Sequence, residues 1–388
     1  MYESAPIADQ GPDSVGVVQP QSHTFAAPPH ELVLESGEKL GPITLAYETC
    51  GKLNSKKSNA VLIFHALSGD AHVAGYHSPH DKNAGWWEFM VGPGKPFDTN
   101  KYFVICSNVL GGCKGTTGPI SVNPVTGKPY SLEFPVITIG DWVEAQKRLI
   151  DHLGISQLLN VVGGSMGGMQ ALEWTLRFPN RVKTATLLAT AARLSAQGIA
   201  FNEVSRRAIM TDPLWHRGNY YENAEHPDAG LSLARMIAHI TYLSEESLHR
   251  KFGRKLQDRE KYGYNFTTEF QVESYLHYQG DAFIKRFDAN SYLYITKAID
   301  YYDITKGGQI ALDAAFKAAQ SKFLVLSFSS DWLYPSRDSK EIVRALKRNN
   351  LEVTYCEINT DYGHDSFLVR NPVMEEMIVN FLAKNLED

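Results

Sequence analysis

Three features of this chain predict an α/β fold: a mostly parallel central sheet with helices on both faces and an inserted helical cap. Short continuous apolar runs at Ala60–Phe64 and Tyr102–Cys106 read as parallel strands buried on both faces, and further strand-length, mostly apolar segments follow at Leu158–Val162, Thr184–Ala189, Phe323–Phe328 and Val353–Ile358. Amphipathic segments alternate with several of these runs, the pattern of strands and helices that builds a parallel sheet. Between Leu194 and Gln320 the alternation stops, and an aromatic- and charge-rich stretch with helical spacing takes its place.

Composition excludes several classes. Of 388 residues 43% are hydrophobic and 21% charged, ordinary values for a globular protein large enough to bury a substantial core. The net charge of -5 and a pI near 6.2, without a basic stripe, give no case for nucleic acid. Cys50, Cys106, Cys113 and Cys356 form no C-x-x-C pair and read as free thiols in a reducing compartment. No apolar run approaches the ~18 to 20 residues of a membrane span. The first ten residues lack the basic start and apolar core of a signal peptide, so a cytoplasmic location is expected.

Taken in order, residues 1–26 are rich in Pro, Gln and Gly and read as a loose tail with a short strand near Val17 and Val18. Residues 27–193 read as the first part of the core. Within it, Leu32–Ser36 and Ile43–Tyr47 are expected to pair antiparallel before the parallel strands begin. A helix is expected over Asp141–Leu153, with Asp141 as N-cap, Glu144 three residues on and Gly154 as the stop. A second runs over Met169–Phe178 to Pro179. Residues 194–320 form the cap. Residues 321–388 complete the core with a helix near Asp338–Asn349 and a last one whose Met374, Met377, Ile378, Phe381 and Leu382 share a face.

The run Leu158–Val162 leads into Gly163-Gly164-Ser165-Met166-Gly167-Gly168 and then a helix. Strand, sharp turn and helix with a serine between glycines is the G-x-S-x-G nucleophile elbow of α/β-hydrolases, here Gly163, Ser165 and Gly167. A glycine-rich strand-to-helix turn can also cradle phosphate, but no G-x-x-x-x-G-K-[ST] accompanies it. An elbow serine needs a histidine base and an acid to hold it, in the chain order Ser, Asp or Glu, His. Among thirteen histidines, only His364 follows the serine in a loop just past a late core strand. Asp331 stands at the end of the preceding strand, so the expected triad is Ser165, Asp331 and His364. The oxyanion hole is assigned to the backbone N–H groups of Met166 and Leu67, the latter from the loop after Ala60–Phe64. His65, in that loop, reads as a packing or hydrogen-bonding element rather than a base.

In the cap, Leu231, Ala234, Ala238 and Tyr242 mark one apolar helix face, and Arg235 lies within it. An arginine on an inward face needs an anion, either an internal carboxylate or that of a substrate. Asp365, beside the histidine, is a candidate partner for a substrate amine. Together they would recognise a small amino acid.

Residues 163–174, Asn108–Pro119, Ala234–Leu243 and Tyr362–Leu368, with Phe201–Val204 and Phe287–Asn290, resemble the homoserine O-acyltransferases of the α/β-hydrolase superfamily. The resemblance runs from about residue 16 to the end. It implies acyl transfer from acyl-CoA to the homoserine hydroxyl, on the route to methionine, by a ping-pong acyl-serine mechanism. It places the catalytic residues on Ser165, Asp331 and His364, and the homoserine contacts on Arg235, Asp365 and a supporting Tyr242. It further implies a cytoplasmic homodimer joined through the cap, with acetyl-CoA as co-substrate and no cofactor or metal. Succinyl-transferring relatives carry an arginine two residues after the triad Asp; here that residue is Leu333. An apolar side chain offers a succinyl carboxylate no partner, so acetyl is the expected donor. The alternatives are succinyl as donor, L-serine as acceptor, or an esterase or deacetylase built on the same triad. A catalytically dead binding module would have lost a triad member, and none is lost.

Overall fold

The computed structural model describes residues 11–386. Strands β1 (Gln21–Phe25), β2 (Ile43–Cys50), β3 (Ala60–Phe64), β4 (Phe103–Ser107), β5 (Leu158–Gly164), β6 (Val182–Leu188), β7 (Lys322–Phe328) and β8 (Val353–Ile358) form one eight-stranded sheet in the order β1-β2-β4-β3-β5-β6-β7-β8. β2 runs antiparallel to both β1 and β4, and every later pairing is parallel. The central strands β3 and β5 are buried along their whole length, which is why β3 is continuously apolar and the one polar side chain of β5, Asn160, is hydrogen-bonded to Thr184 and Thr186. Their side chains alternate between two cores: Leu62 and Phe64 face one side of the sheet, Val61 and Ile63 the other.

The first core is closed by α1 (Ile139–His152) and α2 (Met166–Arg177), through Trp142, Leu149 and Trp174. Between β6 and β7 the chain forms α3 (Ala196–Met210), α4 (Asp228–Tyr242), α5 (Glu245–Lys251), α6 (Gln271–Ile284) and α7 (Ala289–Asp300), and no strand of the sheet. Helix α8 (Ser336–Arg348) adds Ile342 and Leu346 to that core. The second core is covered by α9 (Pro372–Asn385), through Met374, Ile378 and Phe381, and by a mostly irregular segment carrying Trp87, Met90 and Phe97.

Three local expectations change. Residues 21–25 of the expected tail form β1, because pairing with β2 satisfies its backbone groups; Val18 beyond it is buried and Val17 bridges to Tyr76. Residues 1–10 lie outside the described residues. Leu32–Val33 pairs with Lys39–Leu40 in a small separate ribbon, while Ile43–Cys50 takes β1 and β4 as its antiparallel partners. The turn at Gly37 folds 32–40 back on itself, so the two segments do not pair as strands. Helix α1 begins before Asp141: Thr138 is its N-cap, accepting from Asp141 N, and the Asp141 carboxylate accepts from Thr138 N in a capping box.

Candidate active site

Ser165 stands between β5 and α2 with φ 58° and ψ -124°, a strained backbone that a serine holds only when its surroundings fix it. The neighbouring glycines are required by contact distance. A Cβ on Gly163 would lie 2.3 Å from Gly167 C, and one on Gly167 would lie 2.3 Å from Phe64 O. Ser165 N donates to Leu188 O at 2.9 Å, and Ser165 O accepts from Thr190 Oγ1 at 2.8 Å, pinning the turn to β6 and the residues after it. Met166 opens α2, so its N–H is among those without an intrahelical acceptor.

Asp331 and His364 meet as their strand-end positions predict. His364 Nδ1 donates to Asp331 Oδ2 at 2.7 Å, and both side chains are almost wholly buried. A carboxylate can only accept, so this bond places the ring proton on Nδ1 and leaves Nε2 with its lone pair. Asp331 Oδ1 accepts from Leu333 N at 3.0 Å and Tyr334 N at 2.9 Å, which locks the carboxylate. Tyr334 stacks on the imidazole at 4.9 Å between ring centroids. Burial and the Asp331 charge push the Tyr334 phenol up, while an interaction with the Ser165 hydroxyl works the other way. Tyr334 thus touches both ends of the expected relay.

Ser165 opens into a small cavity of about 50 Å3, shared with Leu67, Tyr242, Leu333 and Tyr334. Its walls come from the serine elbow, the loop after β3, the loop after β7 and the cap helices α3, α4 and α7, and none of the lining side chains is charged. His65, beside that loop, has Nδ1 at 2.8 Å from Ala66 O and accepts from Val109 N on Nε2 at 3.2 Å. Both nitrogens are occupied and burial holds the imidazole below its usual pKa, so His65 braces the loop as a neutral group.

Arg235 is buried on α4. Its Nη1 donates to Ser68 Oγ at 3.1 Å, its guanidinium lies 4.7 Å from the Phe283 ring centre and 5.7 Å from that of Tyr242, and its Nε has no hydrogen-bond partner. No carboxylate forms an ion pair with it among the described residues, so the internal salt bridge that a sequence reading leaves open is absent there. Asp365 follows His364 in the chain. Desolvation pushes its carboxyl up to about 6, opposed by the His364 and Arg235 charges and reinforced by Asp331. The arrangement offers a nucleophile with a base and a buried cation, with a carboxyl nearby.

The cap is fastened at one point to both the Asp331 and the His364 loops. Trp332 Nε1 donates to Leu243 O at 3.0 Å, Ser244 Oγ donates to Asp361 O, and a Cβ on Gly363 would lie 2.5 Å from Ser244 N. The α4–α5 junction therefore rests directly on the loops that carry Asp331 and His364.

A model of the α/β hydrolase fold matches residues 59–370. The homoserine O-acetyltransferase of Methanohalobium evestigatum is 58% identical over 95% of this chain and 74% of that protein. The chain belongs to the homoserine O-acetyltransferase family. The family's protein from Solidesulfovibrio magneticus is 56% identical over 97% of this chain and 95% of its own length. Among solved structures, the homoserine O-acetyltransferase from Bacillus anthracis superposes with a TM-score of 0.87 at 31% identity, covering 94% of this chain and 98% of that one. Esterase E22 superposes with a TM-score of 0.85 at 29% identity, covering 94% and 100%.

Within this homoserine O-acetyltransferase family fold, three side chains around the site escaped the sequence reading. Tyr334 has no distinguishing motif; only its ring contact with His364 marks it. Ser68 holds Arg235, and Arg286 donates from its Nη1 to Ser68 O at 2.8 Å. Arg286 follows the apolar end of α6, where a basic residue reads as an ordinary helix terminus.

Proposed function

We propose that the chain transfers an acetyl group from acetyl-CoA to the hydroxyl of homoserine through an acetyl-Ser165 intermediate. His364 Nε2 takes the Ser165 proton as Oγ attacks the thioester carbonyl. The tetrahedral oxyanion is held by the N–H groups of Met166 and Leu67. As the C–S bond breaks, His364 returns the proton to the CoA sulfur. Homoserine then binds with its carboxylate on Arg235, supported by Tyr242, and its ammonium on Asp365. His364 takes the proton of its hydroxyl, the new ester forms, and Ser165 recovers its proton as the acyl C–O bond breaks. The product lies on the route to methionine, and the free thiols fit a cytoplasmic enzyme.

The observation that carries this reading is Arg235: a buried guanidinium with an unpartnered Nε, on the same cap helix whose Ile237, Ala238, Thr241 and Tyr242 wall the Ser165 cavity. Burying a charge without a counter-charge is costly, and a substrate carboxylate relieves that cost on binding. The uncharged cavity around Ser165 and Leu333 supports acetyl over succinyl, whose free carboxylate would be left without a cation. Exposed Leu233 and Ile240 lie on the face of α4 turned away from Arg235, with Val204 on α3 and Tyr278 on α6 also exposed, which supports a homodimer joined through the cap.

The likeness to esterase E22 keeps hydrolysis of an acetyl ester as a second reading. Acetyl-CoA consumption with and without homoserine separates the two. Strong dependence on homoserine and formation of its O-acetyl ester are expected; equal rates of CoA release would establish the hydrolase instead.

A further inference from the structure

Glu48, near the end of β2, has a carboxylate only 4% exposed and no lysine or arginine paired with it among the described residues. Its two oxygens are met by two imidazoles from the segment that follows β3. His72 Nδ1 lies 2.8 Å from Oε2 and His77 Nε2 lies 2.6 Å from Oε1. The two rings face each other at 3.8 Å between centroids, and one ligand atom from each of the three residues falls within 4.8 Å of the others. Asp70, whose Oδ1 accepts from His72 N at 3.0 Å, adds a second carboxylate nearby. Among the described residues the Glu48 carboxylate has only these two imidazoles as charged or chargeable partners, so a buried carboxylate and two ring nitrogens converge on one point.

We propose that Glu48, His72 and His77 form a binding site for a divalent transition-metal ion of the zinc class. Two imidazole nitrogens and a carboxylate are the donor set such ions take, whereas magnesium and calcium prefer all-oxygen sites. An ion about 2.1 Å from each donor would hold the donors ~3 to 3.5 Å apart. The donors now lie within 4.8 Å of one another, so side-chain adjustments of about an ångström would close them on an ion once the ring protons no longer point at the carboxylate. A neutral imidazole moves its proton to the other ring nitrogen, and an imidazolium releases it, so binding must weaken as the pH falls. His72 also lines a cavity of about 490 Å3 with Asp70, Trp86 and Arg286, which gives an ion a way in and room for a water ligand. An ion here would tie the segment carrying Leu67 and Ser68 to β2.

The test uses untagged protein, stripped with EDTA and titrated with Co2+ and then Zn2+. Expected are one equivalent of bound Co2+ with a visible d–d band, its displacement by Zn2+, and a rise in Tm with Zn2+. Glu48→Gln and His77→Ala should each lose the band and the Tm rise. His77 is half exposed, so its variant keeps the fold, which circular dichroism verifies. Absence of saturable binding at one equivalent overturns the proposal, as does wild-type binding by His77→Ala or binding lost only when thiols are blocked.

Discussion

Ser165 depends on groups it does not bond covalently: a backbone turn held open by glycines, an imidazole whose tautomer Asp331 sets, and a phenol from Tyr334 beside both. Ser165→Ala should remove the acetyl-enzyme seen by mass spectrometry on mixing with acetyl-CoA, and lower kcat by at least about 10^3-fold. Asp331→Asn keeps the shape but can donate to the imidazole, which favours the wrong tautomer; a loss of about 10^4-fold in kcat is expected. Asp365 adds a pH signature. With its carboxyl pushed up to about 6, it is protonated below that value and loses its attraction for an ammonium. KM for homoserine should therefore rise as pH falls through about 6, and Asp365→Asn should flatten that rise. The stability effect has the opposite sense. A carboxyl whose folded pKa lies above its unfolded 3.8 costs stability as pH rises from 3.8 through about 6, so Asp365→Asn should be more stable above that window, on the order of 2 kcal/mol, and no more stable below it. Denaturant melts at pH 4 and 8 would check this.

At the scale of elements, two contacts decide how the site is built. The crossing of β3, β5 and α2 leaves no room for a side chain at residue 167, whose Cβ would meet Phe64 O. Gly167→Ala should either fail to fold or lose several kcal/mol in urea melts, since backbone cannot step aside as a flexible side chain can. The second contact is the clamp of Trp332 and Ser244 between the cap and the triad loops. Water excluded from an acyl-serine is water that cannot hydrolyse it. Trp332→Ala should raise the ratio of acetyl-CoA hydrolysis to transfer severalfold, measured as CoA released against O-acetyl ester formed. An unchanged ratio would mean that the clamp does not exclude water.

For the whole molecule, the cap serves two faces at once. Its inner face carries Arg235 and walls the serine cavity, while its outer face exposes Leu233 and Ile240 seven residues apart on α4. Replacing both with glutamate should shift light-scattering mass from the proposed dimer to monomer, because charges in an apolar contact are costly to desolvate. Donor choice is also a property of the assembled cavity. Leu333→Arg places a cation among uncharged walls and should raise succinyl-CoA use relative to acetyl-CoA; a succinyl preference already present in the unmodified protein would overturn the acetyl assignment.

The parallel core strands, the elbow and the positions of Asp331 and His364 were legible in the sequence, because each depends on local signals: apolar runs of strand length, glycines at fixed spacing, and acidic and basic residues just past strand ends. Helix α1 shows the limit of such signals, since Thr138 and Asp141 are both capping residues and only the backbone angles distinguish N-cap from N3. The pairing of β2 with β1 and β4 was not legible, because strand partners are chosen by long-range register that a segment's own residues do not encode. The same holds for Tyr334 on the imidazole, for Ser68 and Arg286 around Arg235, and for the meeting of Glu48 with His72 and His77, which are separated by 24 and 29 positions. Local chemistry determined which residue types the chain carries at its turns and strand ends, and tertiary packing decided which of them meet, because burial and hydrogen-bond partners are set by contacts between segments far apart in sequence.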